Sequence, residues 1–203
     1  MKAAQYFQTL LARQKGGVPD GICSICSANT YVIEAAMEFG RDTSRPILIE
    51  ATANQVNQYG GYTGMQPKDF AEYVRSLAEK IGFSPDQLIL GGDHLGPLTW
   101  SGEPEEEAMA KAEVLVDAFV RAGFSKIHLD TSMRLGSDAP DQPLKDEVIA
   151  RRAARLCAAA ERAAGDEKPV YVIGSEVPVP GGATENEDTL AVTPPENLDA
   201  TIS

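Results

Sequence analysis

Short apolar segments alternate with amphipathic segments along most of this chain, and this alternation constrains the fold more than any other feature. The apolar segments predict five strands, near residues 21–27, 46–52, 88–93, 126–131 and 170–176. The amphipathic segments predict helices near residues 2–15, 31–39, 68–82, 104–122 and 143–164. Strands that are separated by helices form a parallel sheet with right-handed crossovers. We therefore predict an α/β protein.

Two α/β folds begin in this way, the doubly wound open sheet and the (β/α)8 TIM barrel. A barrel needs eight strands and about 250 residues, whereas this chain has 203 residues and five predicted strands. We expect either an open sheet or about five of the eight βα units of a barrel. No repeat or linker divides the chain, so we predict one domain over 1–203. Its parts are an N-terminal helix (1–17), the strands and their helices (21–183), and a polar tail or the start of a further helix (184–203).

The composition excludes several classes of partner. The net charge is −12, with 30 acidic and 18 basic residues, and no basic run is present, so nucleic acids and anionic membranes are not expected as partners. No apolar stretch approaches the roughly 20 residues of a membrane span. The three cysteines and the absence of a signal peptide predict a reducing cytoplasm.

Acidic residues end four of the predicted strands, namely Glu50, Asp93, Asp130 and Glu176. In a parallel sheet these ends lie on one rim, where chemistry is usually placed. Clustered carboxylates repel each other, so some must bind protons or a cation. A divalent metal is one solution, because carboxylate and imidazole are both metal ligands. Helix capping by the same carboxylates is the alternative.

The stretch Gly91–Pro97 places Asp93 beside His94 at the end of the third predicted strand. Such a pair can exchange protons or bind a metal, or it can cap a turn with the imidazole hydrogen-bonded in the core. His128 lies two residues before Asp130, so both side chains share one face of the fourth strand, although His128 can also be a hydrogen-bonded core residue.

The remaining polar features are weaker signals. Cys23 and Cys26 match CxxC, but residues three apart on a strand face opposite sides, which predicts packing rather than a zinc or redox role. The loop containing Asn54, Gln55 and Asn57 can bind sugar hydroxyls or can be a polar surface loop. The sequence contains no GxGxxG or GxxxxGK[ST], the two common nucleotide-binding loops.

Five segments resemble the GatZ/KbaZ family, the subunits called non-catalytic in class II D-tagatose-1,6-bisphosphate aldolases. The segments are GICSICSANTYVIEAA, LIEATANQVNQYGGYTGM, LILGGDHLGP, VRAGFSKIHLDTSM and YVIGSEVPVPGG. The resemblance runs from about residue 10 to residue 183. It implies a (β/α)8 barrel, and the family's members are considerably longer than this chain.

The resemblance implies a supporting subunit in galactitol, N-acetylgalactosamine or tagatose catabolism, which stabilises and activates a catalytic class II aldolase subunit. In class II aldolases an Asp-His pair similar to Asp93-His94 supplies a proton-shuttling aspartate and a zinc-binding histidine. The other metal-binding histidines of those enzymes come from later strands. The expected partners are that catalytic subunit and a sugar phosphate, and a homo-oligomer is compatible with this interpretation.

The alternative is a metal-dependent epimerase or aldolase that acts on a ketose or its phosphate through an enediolate. For this activity we predict Zn²⁺ or Mn²⁺ bound by His94 and Glu50, and proton transfer by Asp93 and Glu176. The predicted substrate-binding residues are Asn54, Gln55, Asn57 and Asp130. Some relatives are named tagatose-6-phosphate kinases, an activity that the motifs of this sequence do not support.

Overall fold

The computed structural model describes residues 3–173, which form one five-stranded parallel sheet and its helices. The strands are β1 (Ser24–Cys26), β2 (Ile47–Thr52), β3 (Leu88–Leu95), β4 (Lys126–Leu129) and β5 (Val170–Ile173). The helices are α1 (Ala3–Lys15), α2 (Thr30–Thr43), α3 (Pro67–Ile81), α4 (Glu105–Arg121) and α5 (Asp146–Ala164). Short 3-10 turns at Pro85–Gln87 and Pro97–Trp100 flank β3.

The strands follow one another across the sheet in the order β1-β2-β3-β4-β5, and every pair of neighbours is parallel. This consecutive order is that of the (β/α)8 barrel, whereas a doubly wound sheet reverses its order part-way. The predicted fold class is therefore confirmed, with five barrel strands within residues 3–173. The order contradicts the open doubly wound alternative.

The helices α2 to α5 form a single layer, because each contacts the next. The apolar face of the sheet packs against this layer and forms the core, with Ile49, Leu90 and Ile127 buried against residues such as Phe70 and Phe119. Because side chains alternate along a strand, the opposite face carries the polar residues of the same strands. None of the helices within the described part of the chain is long and apolar enough to cross a membrane.

Helix α2 corrects one predicted boundary. The predicted helix over 31–39 stops before Gly40, because a glycine commonly follows the last residue of a helix, but α2 continues to Thr43, and its C-cap is Ser44, whose φ is 54°. Gly40 is buried instead, and a Cβ there would lie 2.8 Å from the ring of Phe83. The glycine thus permits close packing inside the helix, where we had interpreted it as a stop signal.

Other boundaries differ less. β1 is shorter than 21–27, β3 runs two residues beyond Asp93, β4 ends at Leu129, and α5 begins at Asp146. The last part of the fifth predicted strand, 174–176, and the predicted tail lie outside the described residues. The domain boundaries that we predicted remain predictions.

A buried arginine fixes the loop that follows β4. The side chain of Arg152, on α5, is 1% exposed, and its Nη2 lies 2.7 Å from Glu105 Oε2 and 2.8 Å from Asp138 Oδ1. Its Nη1 also donates to the carbonyl oxygen of Met133 at 3.4 Å. A charge at this depth requires such partners, so the first turn of α4, the loop and α5 are held as one unit. This loop begins with Asp130, a residue of the candidate site.

Candidate functional site

Strand register brings Glu50 and Lys126 together across β3. Glu50 pairs with Gly91 on one side, and Gly91 pairs with Lys126 on the other. Because Gly91 has no side chain, the two long side chains meet above it, and Lys126 Nζ lies 2.7 Å from Glu50 Oε1. The second carboxylate oxygen of Glu50 accepts a hydrogen bond from Ser24 Oγ. Both members of the ion pair are buried, with exposures of 1% for Glu50 and 8% for Lys126.

Next to this ion pair, Asp93 lies between two histidines. Its Oδ1 is 3.2 Å from His128 Nδ1 and 3.9 Å from His94 Nε2. The centroids of the two imidazole rings are 4.3 Å apart. Asp93, His94 and His128 each place one ligand atom within 4.8 Å of the others. This spacing is suitable for a single metal ion with two nitrogen ligands and one oxygen ligand.

His94 is oriented by Asp130. Its Nδ1 lies 3.0 Å from Asp130 Oδ2, while Asp130 Oδ1 accepts hydrogen bonds from the amide nitrogen (3.0 Å) and Oγ (2.7 Å) of Ser132. A carboxylate acceptor favours the proton on Nδ1, which leaves the lone pair on Nε2, the nitrogen that lies 3.9 Å from Asp93 Oδ1. Metal-binding histidines usually have this carboxylate on the far side of the ring. The backbone of His94 has a φ of 48° within a register shift between β3 and β4.

His128 supplies a second indication of a ligand. Its Nε2 is buried and has no hydrogen-bond partner among the described residues. Burying an unpaired imidazole nitrogen costs about 1–3 kcal/mol, so the arrangement suits a nitrogen that receives a partner from outside the chain. The donor set of Asp93, His94 and His128 therefore fits a divalent metal.

The electrostatics favour an ionised Asp93. Burial raises the pKa of this carboxyl, but the hydrogen bond from His128 and the charge of Lys126 outweigh burial and hold it at about 2. The opposite occurs at Cys26, where burial and the neighbouring carboxylate of Asp93 raise the pKa of the thiol to about 12. Asp93 is therefore available as an anionic ligand at neutral pH, and Cys26 stays a thiol.

The structure brings only some of the predicted site residues together. Asp93, His94 and Asp130 lie in one cluster, as the parallel rim predicts. Glu50 lies beside this cluster, but both of its carboxylate oxygens have partners from the chain. Glu176 lies outside the described residues. The predicted roles of all five residues remain predictions.

The amide residues of the loop after β2 stabilise that loop. Gln55 Oε1 accepts from the amide nitrogen of Thr52 at 2.8 Å, and both Gln55 and Asn57 are buried. Asn57 donates to the carbonyl oxygen of Ala53 and accepts from two backbone amides of its own loop. Asn54 Oδ1 accepts from Thr99 Oγ1 at 3.0 Å. Of the three side-chain amides, that of Asn54 makes the fewest hydrogen bonds within the described protein, so it is the most available to a sugar.

Our sequence interpretation missed Lys126 and Ser24, and it assigned Cys26 to packing together with Cys23, whereas both cysteines are exposed. Ser24 and Cys26 occupy alternate positions on β1, and Lys126 lies two residues before His128 on β4, so alternation places all three on the polar face. Cys26 Sγ lies 3.5 Å from Gln55 Oε1. Alternation could have found these residues, but the partner of each depends on strand register.

The family described as D-tagatose-1,6-bisphosphate aldolase subunit GatZ/KbaZ-like matches residues 7–203 of the chain. The chain belongs to the GatZ/KbaZ-like family. It is 54% identical over 198 residues to the D-tagatose-1,6-bisphosphate aldolase subunit GatZ of Escherichia coli O1:K1, covering 96% of this chain and 47% of that protein. The GatZ subunit of Shigella flexneri matches with the same identity and the same coverage.

One solved structure has a fold that is closely similar to that of this chain. The crystal structure of a probable tagatose 6 phosphate kinase from Sinorhizobium meliloti 1021 superposes with a TM-score of 0.77 at 48% identity. The similarity covers 90% of this chain and 43% of that one. The chain thus spans about half the length of the curated relatives that it matches.

Proposed function

We propose that the protein is a supporting subunit of a class II D-tagatose-1,6-bisphosphate aldolase, required for the stability and activity of a separate catalytic subunit. The observation that carries the proposal is the 54% identity to aldolase subunits over 96% of the chain. The partner is the catalytic class II aldolase subunit, and the ligand class is a sugar phosphate. The chain contains no common nucleotide-binding loop, which favours a subunit role over the kinase naming of the Sinorhizobium meliloti relative.

The aldolase assay tests this proposal most simply. Cleavage of tagatose 1,6-bisphosphate should be measured with the catalytic subunit alone, with this protein alone, and with both. We expect little cleavage from this protein alone, and a higher rate and longer half-life of the catalytic subunit when this protein is added. An unchanged rate and half-life would contradict the supporting role.

We further propose that the rim binds a divalent cation, Zn²⁺ or Mn²⁺, through Asp93, His94 and His128. The support is the spacing of their ligand atoms, the orientation of His94 by Asp130, and the buried unpaired Nε2 of His128. This set replaces Glu50 by His128 relative to the sequence prediction, because Lys126 and Ser24 already contact the carboxylate of Glu50.

The cation site favours a second candidate function, a metal-dependent aldolase or epimerase activity of this subunit itself. When bound, such a metal polarises a substrate carbonyl and stabilises an enediolate. The protein would hold the cation through the two imidazoles, and Asp130 would keep His94 in its ligating orientation. A carboxylate with a pKa near 2 is a weak base, so Asp93 suits ligation better than proton transfer. Glu176 remains the predicted proton carrier.

Calorimetric titration with ZnCl₂ and with MnCl₂ tests the cation site. His94→Ala should weaken binding strongly, because a nitrogen ligand is lost, whereas the matched control Cys23→Ser should bind as the wild type does. Equal affinity of the wild type and His94→Ala would remove His94 from the site. Activity of the protein without its partner, lost in His94→Ala, would favour the enzyme over the supporting subunit.

A further inference from the structure

Lys126 introduces a positive charge beside the proposed cation site. Its ammonium group lies 2.7 Å from Glu50 Oε1 and 3.9 Å from Asp93 Oδ1. The side chain is 10% exposed, so water cannot replace a lost partner easily. A buried ammonium group requires a paired carboxylate. Among the described residues, the ion pairs of Lys126 are those with Glu50 and Asp93.

The carboxylate of Glu50 is positioned to pair with the ammonium group of Lys126 and is held in that position. One carboxylate oxygen contacts Lys126, and the other accepts from Ser24. The carboxylate lies over Gly91, where a Cβ would come within 2.9 Å of its Cγ and Cδ. A side chain enclosed in this way cannot swing toward His94 and His128 without breaking the pair. Glu50 is also absent from the three residues whose ligand atoms converge.

We infer that Glu50 is a positioning residue and not a metal ligand: it takes the close contact with the ammonium group of Lys126, at 2.7 Å against 3.9 Å for Asp93, which leaves the Asp93 carboxylate available to a cation. This inference rests on the cation site proposed above. Without Glu50, Asp93 is the nearest carboxylate to Lys126, at 3.9 Å. The ammonium group would then compete with the metal for the same carboxylate oxygens.

A double-mutant cycle separates this role from ligation. Zinc and manganese affinities are measured by calorimetry for the wild type, Glu50→Gln, Lys126→Met and the double variant. We expect Glu50→Gln to lower the affinity at least about tenfold, which is the usual effect of a residue that supports a ligand. The double variant should return to within about threefold of the wild type, because no ammonium group remains to occupy Asp93.

Each of the two measurements has a result that would contradict the inference. If Glu50→Gln and the double variant lose the same affinity, Glu50 binds the metal directly and the inference is wrong. The melting temperatures of the metal-free proteins provide a second readout of the pair. Both single variants should melt below the double variant, since Lys126→Met leaves the buried carboxylate of Glu50 without its ammonium partner and Glu50→Gln leaves Lys126 with only the more distant carboxylate of Asp93 among its described ion-pair partners. A double variant that melts at or below the lower single variant would contradict the pairing.

The two proposals fail in different ways. If the wild type binds neither zinc nor manganese, the cation site of the proposed function is wrong, and the role of Glu50 in metal binding falls with it. The order of melting temperatures would still decide whether Glu50 and Lys126 stabilise each other. If the wild type binds metal but the double variant does not recover, the cation site stands and the positioning role is wrong.

Discussion

Replacing Gly91 by alanine tests the packing on which the site depends. A Cβ at this position would lie within 2.9 Å of two side-chain carbons of Glu50, which is well inside van der Waals contact. The backbone tolerates the change, since Gly91 lies in a regular strand and alanine is otherwise favoured there by about 0.5–1 kcal/mol. The cost must therefore come from displacing Glu50.

Two limits bracket that cost. If Glu50 shifts slightly and keeps its contact with Lys126, the overpacking costs about 1–3 kcal/mol. If the carboxylate moves away from Lys126, the buried ion pair is broken, and the free energy of unfolding falls by about 3–5 kcal/mol. Because Glu50 is 1% exposed and its other carboxylate oxygen is bonded to Ser24, we predict the upper range.

Urea unfolding measures this loss, with Gly102→Ala as the matched control. A Cβ at Gly102 meets no atom within 4 Å, so its free energy of unfolding should change by no more than about 0.5 kcal/mol. A Gly91→Ala protein as stable as the control would refute the argument that Glu50 is held across this glycine.

The remaining predictions concern the charges around the site. Folding lowers the pKa of Asp93 from 3.8 to about 2. The ionised carboxylate therefore contributes stability above pH 4, and this stability is lost as the pH falls toward 2. In Asp93→Asn, the free energy of unfolding should lose about 2 kcal/mol of this dependence on pH, measured by acid unfolding. Arg152→Met should lower the free energy of unfolding by about 3–5 kcal/mol. Arg151→Met, which removes a 63% exposed partner of the same glutamate, should cost at most about 1 kcal/mol. Asp130→Asn should weaken metal binding about 10–100-fold in calorimetry by releasing His94, and unchanged affinity would exclude that role.

Much of the fold was predictable because the local signals agree. Mostly apolar strands such as β2, which is buried over residues 47–51, require helices to cover them, and this specifies parallel βα units. Signals that depend on tertiary packing were misread. Gly40 resembles a helix stop, but its environment is Phe83, a residue more than forty positions away in the chain. The left-handed φ of His94 had no signal, since that conformation is typical of glycine.

The sequence predicted which residues lie on the rim of the sheet, but it did not predict which charged groups contact each other there. The ends of parallel strands necessarily meet, so Asp93 and Asp130 could be placed near each other from sequence alone. Which residue neutralises which carboxylate depends on register, and a one-residue change would have moved Lys126 to the other face. The prediction of a cation for Glu50 took no account of Lys126, whose ammonium group pairs with this carboxylate.

The central claim is that a cation binds at the carboxyl rim of β3 and β4. Anomalous diffraction from crystals of the protein grown with Mn²⁺ locates such an ion directly. We predict one peak within bonding distance of Asp93, His94 and His128, with Glu50 still paired to Lys126. A peak at the Glu50 carboxylate, or no peak among these three residues at saturating Mn²⁺, would contradict the account.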